Sequence, residues 1–577
     1  MFGRRDRLTT ALLAVALLAG GLGGCGGGSG APRGISGATG GSRGMLGRGS
    51  TISTVATGPY RWLVPTGGSP PTVARENQHR GTTAWRLPGP AANAGGLAHG
   101  TVRGYVAEQS LTAGQTQRIY VSAPGAARVR IRVFRMGWYG GTGGREVLRS
   151  DRLTVVAQPP CTHRPATGLT ECHWHPTLRF MIPPALPSGV YIAQLSASAG
   201  SAAASGSAGG SGGSAGASGG SAGASGGQSD CLFVVRASGP APLLAQLPTS
   251  TYEAYNAWGG DSLYPGGADR VGVTGTTQGI EVSYDRPYDS NTGAGQFFAR
   301  DVAMIRFLER HGYPVAYTTS ESVDEDPGQL SGHRALIDFG HSEYWSARQA
   351  EGFARARAAG TSLLFFGSDT LGWRVRYAPA SPAASEAGEP GHSIVAYKEH
   401  AALDPHRSQP SGSFPDAGAS LTGSAYLGCI TPRVQQPGAP TYRYYEWAPA
   451  LGLHPSWLFA GTGITAATRI PGIVGYELDQ RTAASPPGTL AAGGGPAPCM
   501  SVTAPGEPVP GPGQNRAETT LSTAPSGAIV FDTGTLGWEL GLEPVPGASP
   551  DAPAAPDPRV VAMTRNVLAR ALGSGKG

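Results

Sequence analysis

The chain has 577 residues and a formal net charge of +6, from 44 Lys and Arg against 38 Asp and Glu. A chain of this length is too long for one ordinary hydrophobic core, so two domains are expected. The charge is small for the length, and no run of basic residues resembles a nucleic-acid footprint, so we predict no nucleic-acid partner.

The N-terminal segment has the layout of a bacterial lipoprotein signal. Arginines at positions 4, 5 and 7 precede an apolar run over residues 11–19, and Leu22-Gly-Gly-Cys25 follows. We predict a signal peptide over residues 1–24, cleavage before Cys25 and lipidation of that cysteine. The alternative is an ordinary secretory signal in which Cys25 is incidental. Either the Sec or the twin-arginine route would carry the chain out of the cytoplasm.

Residues 25–54 are rich in Gly and Ser. They predict a flexible tether, because they carry too few large apolar groups to offset the entropy cost of ordering. No later stretch approaches the roughly 18 to 20 apolar residues of a membrane-spanning helix. We therefore expect an exported protein, lipid-anchored to the outer face of the cytoplasmic membrane, with the membrane as its partner.

Export makes disulfides available to the five cysteines that follow Cys25. Five thiols cannot all pair within one chain, so at least one stays free. We predict a bridge between Cys161 and Cys172, which a short loop separates, and a second between Cys429 and Cys499. No CxxC motif occurs, so cysteine-ligated zinc is not expected.

Residues 55–240 contain short segments of alternating apolar and polar residues, for example 102–106, 129–135 and 189–195. This alternation, interrupted by Gly and Pro turns, predicts an antiparallel β-sandwich of the immunoglobulin-like type. Residues 198–229 are almost purely Gly, Ser and Ala. They predict a disordered insertion in one hairpin loop, which costs little because loop-closure entropy grows slowly with length.

From residue 243 to residue 577 the pattern changes to strands alternating with helices. An amphipathic helix over residues 302–311 precedes a strand at 314–318, and a helix over 346–357, capped by Ser346, precedes a strand at 361–366. This alternation predicts an α/β domain, with a mostly parallel sheet flanked by helices in an amidotransferase-like arrangement. The Pro- and Gly-rich stretches 378–390, 484–515 and 543–558 are predicted to be surface loops.

Polar side chains follow several predicted strands at the point where each strand ends. His341 and Glu343 come directly after the apolar run 334–339, Asp369 follows the strand ending at Phe366, and Glu477 lies in Gly475-Tyr-Glu477. Ligands and catalytic groups collect at the carboxyl ends of strands in open α/β sheets. We therefore predict one shared pocket at this edge.

The segment 251–264 combines aromatic and polar residues and contains Tyr255 and Tyr264. A phenol coordinated to a hard trivalent ion ionises near neutral pH, so tyrosines that converge with a carboxylate could hold ferric iron. The alternative is that they are packing aromatics. His173 and His175 alternate along a strand and offer a second candidate metal position.

Six motifs together resemble the bacterial proteins related to the large subunit of N,N-dimethylformamidase, over about residues 95–575. The motifs are Arg135-Met-Gly-Trp-Tyr-Gly-Gly141, Tyr252-Glu-Ala-Tyr-Asn-Ala-Trp-Gly-Gly260, Ser262-Leu-Tyr264, Val282-Ser-Tyr-Asp-Arg-Pro-Tyr288, Gly340-His-Ser-Glu-Tyr-Trp-Ser346 and Trp373-Arg-Val-Arg376.

The resemblance implies a single ferric ion held by two tyrosinates and one glutamate. Glu343, in the matching GHxEYW context, would be the glutamate ligand, and Tyr255 and Tyr264 would be the tyrosinates. Other tyrosines in the motifs are rivals for the same role: Tyr252, Tyr284 and Tyr288.

The same resemblance implies catalytic roles for three further residues. His341 would orient water or substrate, Glu477 would act as a base, and Asp369 stands where relatives often carry Asn. An additional carboxylate at that position could repel hydroxide or bind a cation.

The implied function is an iron-dependent hydrolase that acts on the C–N bond of a small-molecule linear amide. The amidase works with a small subunit, whereas this sequence does not identify a protein partner. Two alternatives stay open. One is a non-catalytic module that binds a glycan or polymer of the cell envelope, and the other is a glycan-active enzyme with two acids along a groove.

Overall fold

The computed structural model describes residues 58–87, 102–123, 127–198, 227–267, 270–378, 392–406, 408, 411–434, 441–501, 515–545 and 549–573. The predicted signal peptide, Cys25 and the tether up to residue 54 lie outside these residues, as does most of the predicted insertion at 198–229. In the described part of the chain, no helix is both long enough and apolar enough to cross a lipid bilayer.

The first part of the described chain is built mainly from strands, with one short helix, α1 (Val73–Glu76). The strands are β1 (Tyr60–Trp62), β2 (Arg103–Val106), β3 (Ser110–Leu111), β4 (Thr116–Ser122), β5 (Ala127–Met136), β6 (Gly144–Val155), β7 (Thr162–Arg164), β8 (Leu169–Glu171), β9 (Pro176–Met181), β10 (Gly189–Ser198) and β11 (Gln228–Val235). Six of them form a sheet in the order β1-β6-β5-β10-β11-β3, and three form a smaller sheet in the order β2-β4-β9.

The six-stranded sheet is buried on both faces. Tyr191 and Ala193 of β10 pack into a core shared with the three-stranded sheet. Val190 and Ile192, the alternate residues of the same strand, pack into the core of the second part of the chain. Successive side chains of a strand point to opposite faces, so one apolar run serves two cores.

The second part of the chain contains the larger sheet. Its strands are β12 (Leu243–Leu247), β13 (Glu281–Ser283), β14 (Val315–Thr319), β15 (Ala335–His341), β16 (Tyr344–Ser346), β17 (Ser362–Ser368), β18 (Trp373–Ala378), β19 (Ser393–Val395), β20 (Ala425–Ile430), β21 (Arg433–Val434), β22 (Thr441–Tyr442), β23 (Tyr445–Pro449), β24 (Ile470–Val474), β25 (Glu477–Gln480), β26 (Leu490–Pro496), β27 (Met500–Ser501), β28 (Arg516–Thr523) and β29 (Ile529–Asp532). Its helices are α2 (Thr249–Ala254), α3 (Val302–Arg310), α4 (Ser320–Glu325), α5 (Ala347–Ala358), α6 (Ala419–Thr422), α7 (Ser456–Phe459) and α8 (Pro558–Ala571).

Nine of these strands form one sheet in the order β14-β12-β15-β17-β29-β28-β26-β23-β24. The first five strands run parallel to their neighbours, whereas the pairings from β29 to β24 are antiparallel. A four-stranded sheet, β13-β19-β18-β16, lies in the same part of the chain. Helix α5 begins after Ser346, whose hydroxyl accepts a hydrogen bond from the Gln349 amide, so the predicted cap is confirmed.

The predicted fold class is wrong. An immunoglobulin-like sandwich followed by a mostly parallel, helix-flanked, amidotransferase-like sheet was expected, but the described residues form mainly mixed and antiparallel sheets, and helices account for only 19% of them. Even the six-stranded sheet is mixed, because β3 pairs with β11 in parallel. The β-rich character of the first part was expected. The predicted domain boundaries at residues 240 and 243 stay a prediction.

One strand, β26, was not recognised in the sequence, and this explains part of the error. β26 lies inside the stretch 484–515, which was predicted to be a loop because it is rich in Gly, Ala and Pro. The ring of Trp447, on neighbouring β23, occupies the space beside Gly493: a Cβ placed on this glycine would lie 2.0 Å from the indole. This strand needs glycine for close approach, so it lacks the apolar alternation by which strands are recognised.

A buried ion pair connects the two parts of the described chain. The Arg135 guanidinium, on β5, donates two hydrogen bonds to the Glu309 carboxylate, on α3, at 2.7 and 2.8 Å. Both side chains are fully buried. Asn77 and Tyr317 also donate to Glu309, so its charge is well satisfied. The Arg135 motif noted in the sequence therefore has a structural role at this junction.

We predict that Glu309→Gln destabilises the protein by about 3–5 kcal/mol, because it leaves the Arg135 charge buried without a partner. The measurement is the free energy of unfolding by denaturant. Glu351→Gln is the matched control, since the Glu351–Arg355 pair on α5 is largely exposed, and its loss changes stability by no more than about 0.5 kcal/mol. Equal stability of the two variants would contradict the prediction.

Candidate metal and catalytic site

The candidate site forms where β15 and β17 end. These strands are parallel neighbours and pair His341 with Ser368, so Asp369 follows directly beside the imidazole. Glu477 is the first residue of β25. Tyr255 follows the last residue of helix α2. Four separate stretches of the chain therefore deliver polar side chains to one place.

The Glu343 carboxylate is the common partner of two tyrosines. The Tyr264 hydroxyl donates to Glu343 at 2.6 Å from Oε1, and the Tyr255 hydroxyl donates to Oε2 at 2.8 Å. The two hydroxyl oxygens are 2.7 Å apart. Glu343 is only 1% exposed. Two phenols and one carboxylate thus share a small volume that is closed to most of the solvent.

Burial determines the protonation of these three groups. It raises the pKa of the Tyr255 and Tyr264 hydroxyls well above their ordinary value, and the nearby Glu343 carboxylate raises both further. Burial also acts to raise the pKa of Glu343, but hydrogen bonding to His341 and the charges of His341 and Lys398 bring it below its ordinary value. Without a cation, the phenols therefore hold their protons and Glu343 is charged.

His341 lies among three carboxylates. Its Nε2 atom is 3.2 Å from Glu477, 3.3 Å from Glu343 and 3.8 Å from Asp369. Burial acts to lower the pKa of this histidine, but the three acids raise it well above its ordinary value. The Nε2 atom is thus already engaged in ion pairs with the surrounding carboxylates.

The acids outnumber the cations at this site. Burial raises the pKa of Asp369 well above its ordinary value, and the Glu343 charge adds to this effect. Burial likewise raises the pKa of Glu477 to about 7 and that of Asp479 to about 6. His341, Asp369 and Glu477 each offer a ligand atom within 4.8 Å of the others. These three buried residues could therefore bind a metal ion.

Tight backbone packing places His341 and Glu343. Gly340 has a φ of +69°, and a Cβ at this position would lie 1.9 Å from the carboxylate of Asp301. Only glycine fits this turn. The Thr251 hydroxyl then accepts from the backbone amides of Glu343 and Tyr344. The Gly340 turn therefore positions His341, and the hydrogen bonds to Thr251 position Glu343.

The structure thus brings together all six residues predicted for the metal and catalytic roles: His341, Glu343, Asp369, Glu477, Tyr255 and Tyr264. Two of the three rival tyrosines lie in the main core, where Tyr252 and Tyr288 contact each other at 6.4 Å between ring centroids. Tyr284 belongs to the apolar cluster against which Tyr255 and Tyr264 pack. Which residues bind a metal stays a prediction.

The other predicted positions lie away from this site. His173 Nε2 lies 3.1 Å from the Thr162 hydroxyl, and among the described residues neither His173 nor His175 belongs to a group that could hold a metal. Disulfides join Cys161 to Cys172 and Cys429 to Cys499. Cys231 forms no disulfide and is buried.

Sequence reasoning missed two residues that shape the site electrostatically. The Lys398 ammonium lies 3.5 Å from the centroid of the Tyr264 ring and donates to the Leu263 carbonyl. Asp479 accepts from the Asp369 amide at 2.8 Å. Lys398 is one of only two lysines in the chain. That rarity was a usable signal, whereas nothing in the sequence distinguishes Asp479.

Comparison with known proteins identifies the family of the chain. A family model described as "N,N-dimethylformamidase beta subunit-like, C-terminal" matches residues 130–552. A search of curated proteins found no match. The match covers well over half of the chain and includes every residue of the site. The chain belongs to the N,N-dimethylformamidase beta subunit-like family.

Proposed function

We propose that the protein is a metal-dependent hydrolase of linear amides in which Tyr255, Tyr264 and Glu343 hold one ferric ion. The observation that carries the proposal is the convergence of two half-buried phenols on one buried carboxylate, at 2.6–2.8 Å. Family membership supports a reaction of the amidase type. The substrate is an amide whose C–N bond is cleaved.

The donor set fits a hard trivalent cation. All three groups offer oxygen, the ligand atom that hard ions prefer. A phenol keeps its proton at neutral pH in water, and burial beside the Glu343 anion raises the pKa of both tyrosines further. A cation among them would reverse this balance, since it favours the charged form of each ligand. A ferric ion bound there would act as a Lewis acid that polarises a carbonyl or lowers the pKa of a bound water.

Two residues of the chain would handle protons. Burial raises the pKa of Glu477 to about 7, so near neutral pH its Oε2 can accept a proton from the attacking water. His341, kept protonated by the surrounding acids, can donate from Nε2 to the leaving nitrogen. The 3.2 Å between these atoms allows the proton to return to His341 before the next turnover.

Asp369 would act as a hydrogen-bond donor. Burial and the charge of Glu343 raise its pKa well above the ordinary value, which favours the neutral carboxyl group. A neutral carboxylic acid donates one hydrogen bond, as a side-chain amide does. The acid can therefore fill the place where the family resemblance leads one to expect Asn.

A second mode of metal binding has its own support. His341, Asp369 and Glu477 could hold a cation without any tyrosine, because their ligand atoms lie within 4.8 Å of one another. Such a site would use the histidine and the acids as ligands and leave the phenols protonated. It would bind divalent metals such as zinc at least as well as iron.

We also propose that the protein is exported and anchored through a lipid on Cys25. The Leu22-Gly-Gly-Cys25 sequence supports this location. The two disulfides support it too, because such bonds persist in oxidising compartments outside the cytoplasm. The membrane would then be a permanent partner of the protein.

The iron site predicts a visible absorption band, because a phenolate bound to ferric iron absorbs by charge transfer. We expect the wild-type protein to hold one equivalent of iron and to be coloured, and Tyr255→Phe, Tyr264→Phe and Glu343→Gln to lose the band and most of the iron. Metal analysis and a visible spectrum on the same samples provide the measurement.

Tyr288→Phe is the matched control for these variants. Its hydroxyl is buried and has no hydrogen-bond partner among the described residues, so the band should be unchanged. Metal that is lost in His341→Ala and Glu477→Gln, without any tyrosinate band, would favour the second mode of binding. A folded, metal-free wild-type protein would refute the iron site and favour the non-catalytic envelope-binding module.

We predict that Glu477→Gln lowers kcat by roughly 10²- to 10⁴-fold, because the amide cannot accept the proton of the attacking water. The iron content and the visible band should remain, since Glu477 is not one of the three proposed ligands. The assay is amide hydrolysis, with N,N-dimethylformamide as the first substrate. Glu446→Gln, at an exposed position of β23, is the control and should leave kcat unchanged.

We predict that Asp369→Asn retains kcat within about threefold of the wild type, because both side chains donate a hydrogen bond when Asp369 is neutral. Asp369→Leu should lose activity, since it removes the donor but keeps a similar volume. The measurement is kcat with the same amide, together with iron content. A strong loss in Asp369→Asn would show that the Asp369 carboxylate acts in its charged form.

A further inference from the structure

Arg300 lies close to the site but takes no part in the proposed chemistry. One residue, Asp301, separates it from the start of helix α3. Its guanidinium carbon lies 4.4 Å from the centroid of the Tyr476 ring. Tyr476 meets the His341 ring edge-on, at 6.3 Å between centroids. A single aromatic ring thus separates Arg300 from the imidazole at the centre of the site.

Tyr476 is covered on both of its faces. Tyr442 stacks on it at 4.3 Å with an angle of 14° between the ring planes. Two groups at such distances cannot share one face of a ring, so Arg300 and Tyr442 occupy opposite faces. Arg433 lies over the outer ring, 5.6 Å from the centroid of Tyr442. These four side chains form a stack, Arg300-Tyr476-Tyr442-Arg433, which we call the cation-aromatic stack.

Both ends of the stack reach the solvent. Tyr476 is buried, Tyr442 and Arg300 are partly exposed, and Arg433 is exposed. The Arg300 guanidinium is therefore not sealed inside the protein.

Arg300 differs from the other arginines of the interior in how its charge is balanced. Arg135 is paired with Glu309 and Arg286 with Glu253, each pair fully buried. Within the described residues, no carboxylate forms an ion pair with Arg300, and its hydrogen-bond contact is with the Tyr444 hydroxyl. A guanidinium carries five N–H donors. Most of those on Arg300 therefore have no acceptor from the protein.

The charge of Arg300 is nevertheless secure. Burial acts to lower its pKa, but the rings of Tyr476 and Tyr444 and the charge of Glu477 raise the pKa above its ordinary value. Glu477 contributes only through its field, without direct contact. A cation that is stacked, permanently charged and short of acceptors is suited to bind a planar anion through two parallel hydrogen bonds.

We propose that Arg300 binds a carboxylate of the substrate, so that the substrate class is amides carrying a carboxylate, such as N-acyl amino acids. The proposal rests on the amide-hydrolase function proposed above. The acids around His341 would repel an anion, so its carboxylate would be bound beyond the Tyr476 ring, by a guanidinium that forms no ion pair with any described residue. The carboxylate of the substrate would then lie at Arg300 and its amide at His341, with the Tyr476 ring between them.

The test compares two probes that differ in one group. N-acetylglycine carries a carboxylate, and N-acetylglycinamide has an amide of the same shape in its place. We expect calorimetry to show that wild-type protein binds N-acetylglycine roughly tenfold or more tightly than N-acetylglycinamide. Arg300→Met should abolish this preference without weakening the binding of the neutral probe, and Arg300→Lys should keep part of it.

Arg433→Met is the matched control, because it removes a cation from the exposed end of the same stack and should keep the preference. Equal affinity for the two probes, absence of N-acetylglycine binding, or a preference that survives in Arg300→Met would each overturn the proposal. The last result would indicate a carboxylate bound by the metal instead.

Iron content and the visible band, measured on the same samples, separate this proposal from the proposed function. A band without any preference for the charged probe would refute only the role of Arg300. A preference that depends on Arg300 in a protein without iron would refute only the iron-dependent reaction.

Discussion

The Glu343 carboxylate is a buried anion that accepts hydrogen bonds from two phenols and lies beside an imidazole, and the rest of the site depends on it. A lone charge in this position would be costly, so the chain surrounds it with donors. Tyr255 and Tyr264 supply hydroxyl groups, while His341 and Lys398 supply positive charge. The same arrangement offers ligand atoms to a cation, because Glu343, Asp369 and Glu477 all lie around the His341 imidazole.

This electrostatic balance connects the fold to the chemistry. The turn at Gly340 brings the end of β15 against Asp301, so that His341 and Glu343 both face inward. Asp369 and Glu477 arrive from β17 and β25, which belong to different sheets. Each acid shifts the pKa of the others: the pKa values of His341 and Asp369 lie well above their ordinary values, and that of Glu477 is raised to about 7. A group whose pKa lies near the pH of the solution can both take up and release a proton.

Short motifs identified residues that the fold brings together, but they did not predict the sheet that carries them. Glu343 and Tyr264 lie in contiguous segments whose residue types are specific, and these segments converge. The fold class failed because helix and strand patterns do not distinguish parallel from antiparallel neighbours, and because β26 is rich in glycine. The sequence did not identify Lys398 and Arg300 as residues near the site. Long-range packing determines which aromatic ring each cation contacts, and the local sequence does not indicate that ring.

The pairing of β17 with β29 has a consequence for the order of events during synthesis. Thr533, just after β29, donates to Gly367 of β17, a residue 166 positions earlier in the chain. Until the ribosome has made residues 529–532, β17 has one open edge, and β15 and its histidine lie in an incomplete sheet. Contacts of such long range form late. The sheet that carries His341 is therefore completed only after residue 532 has been made, so the candidate site takes its final form late in translation.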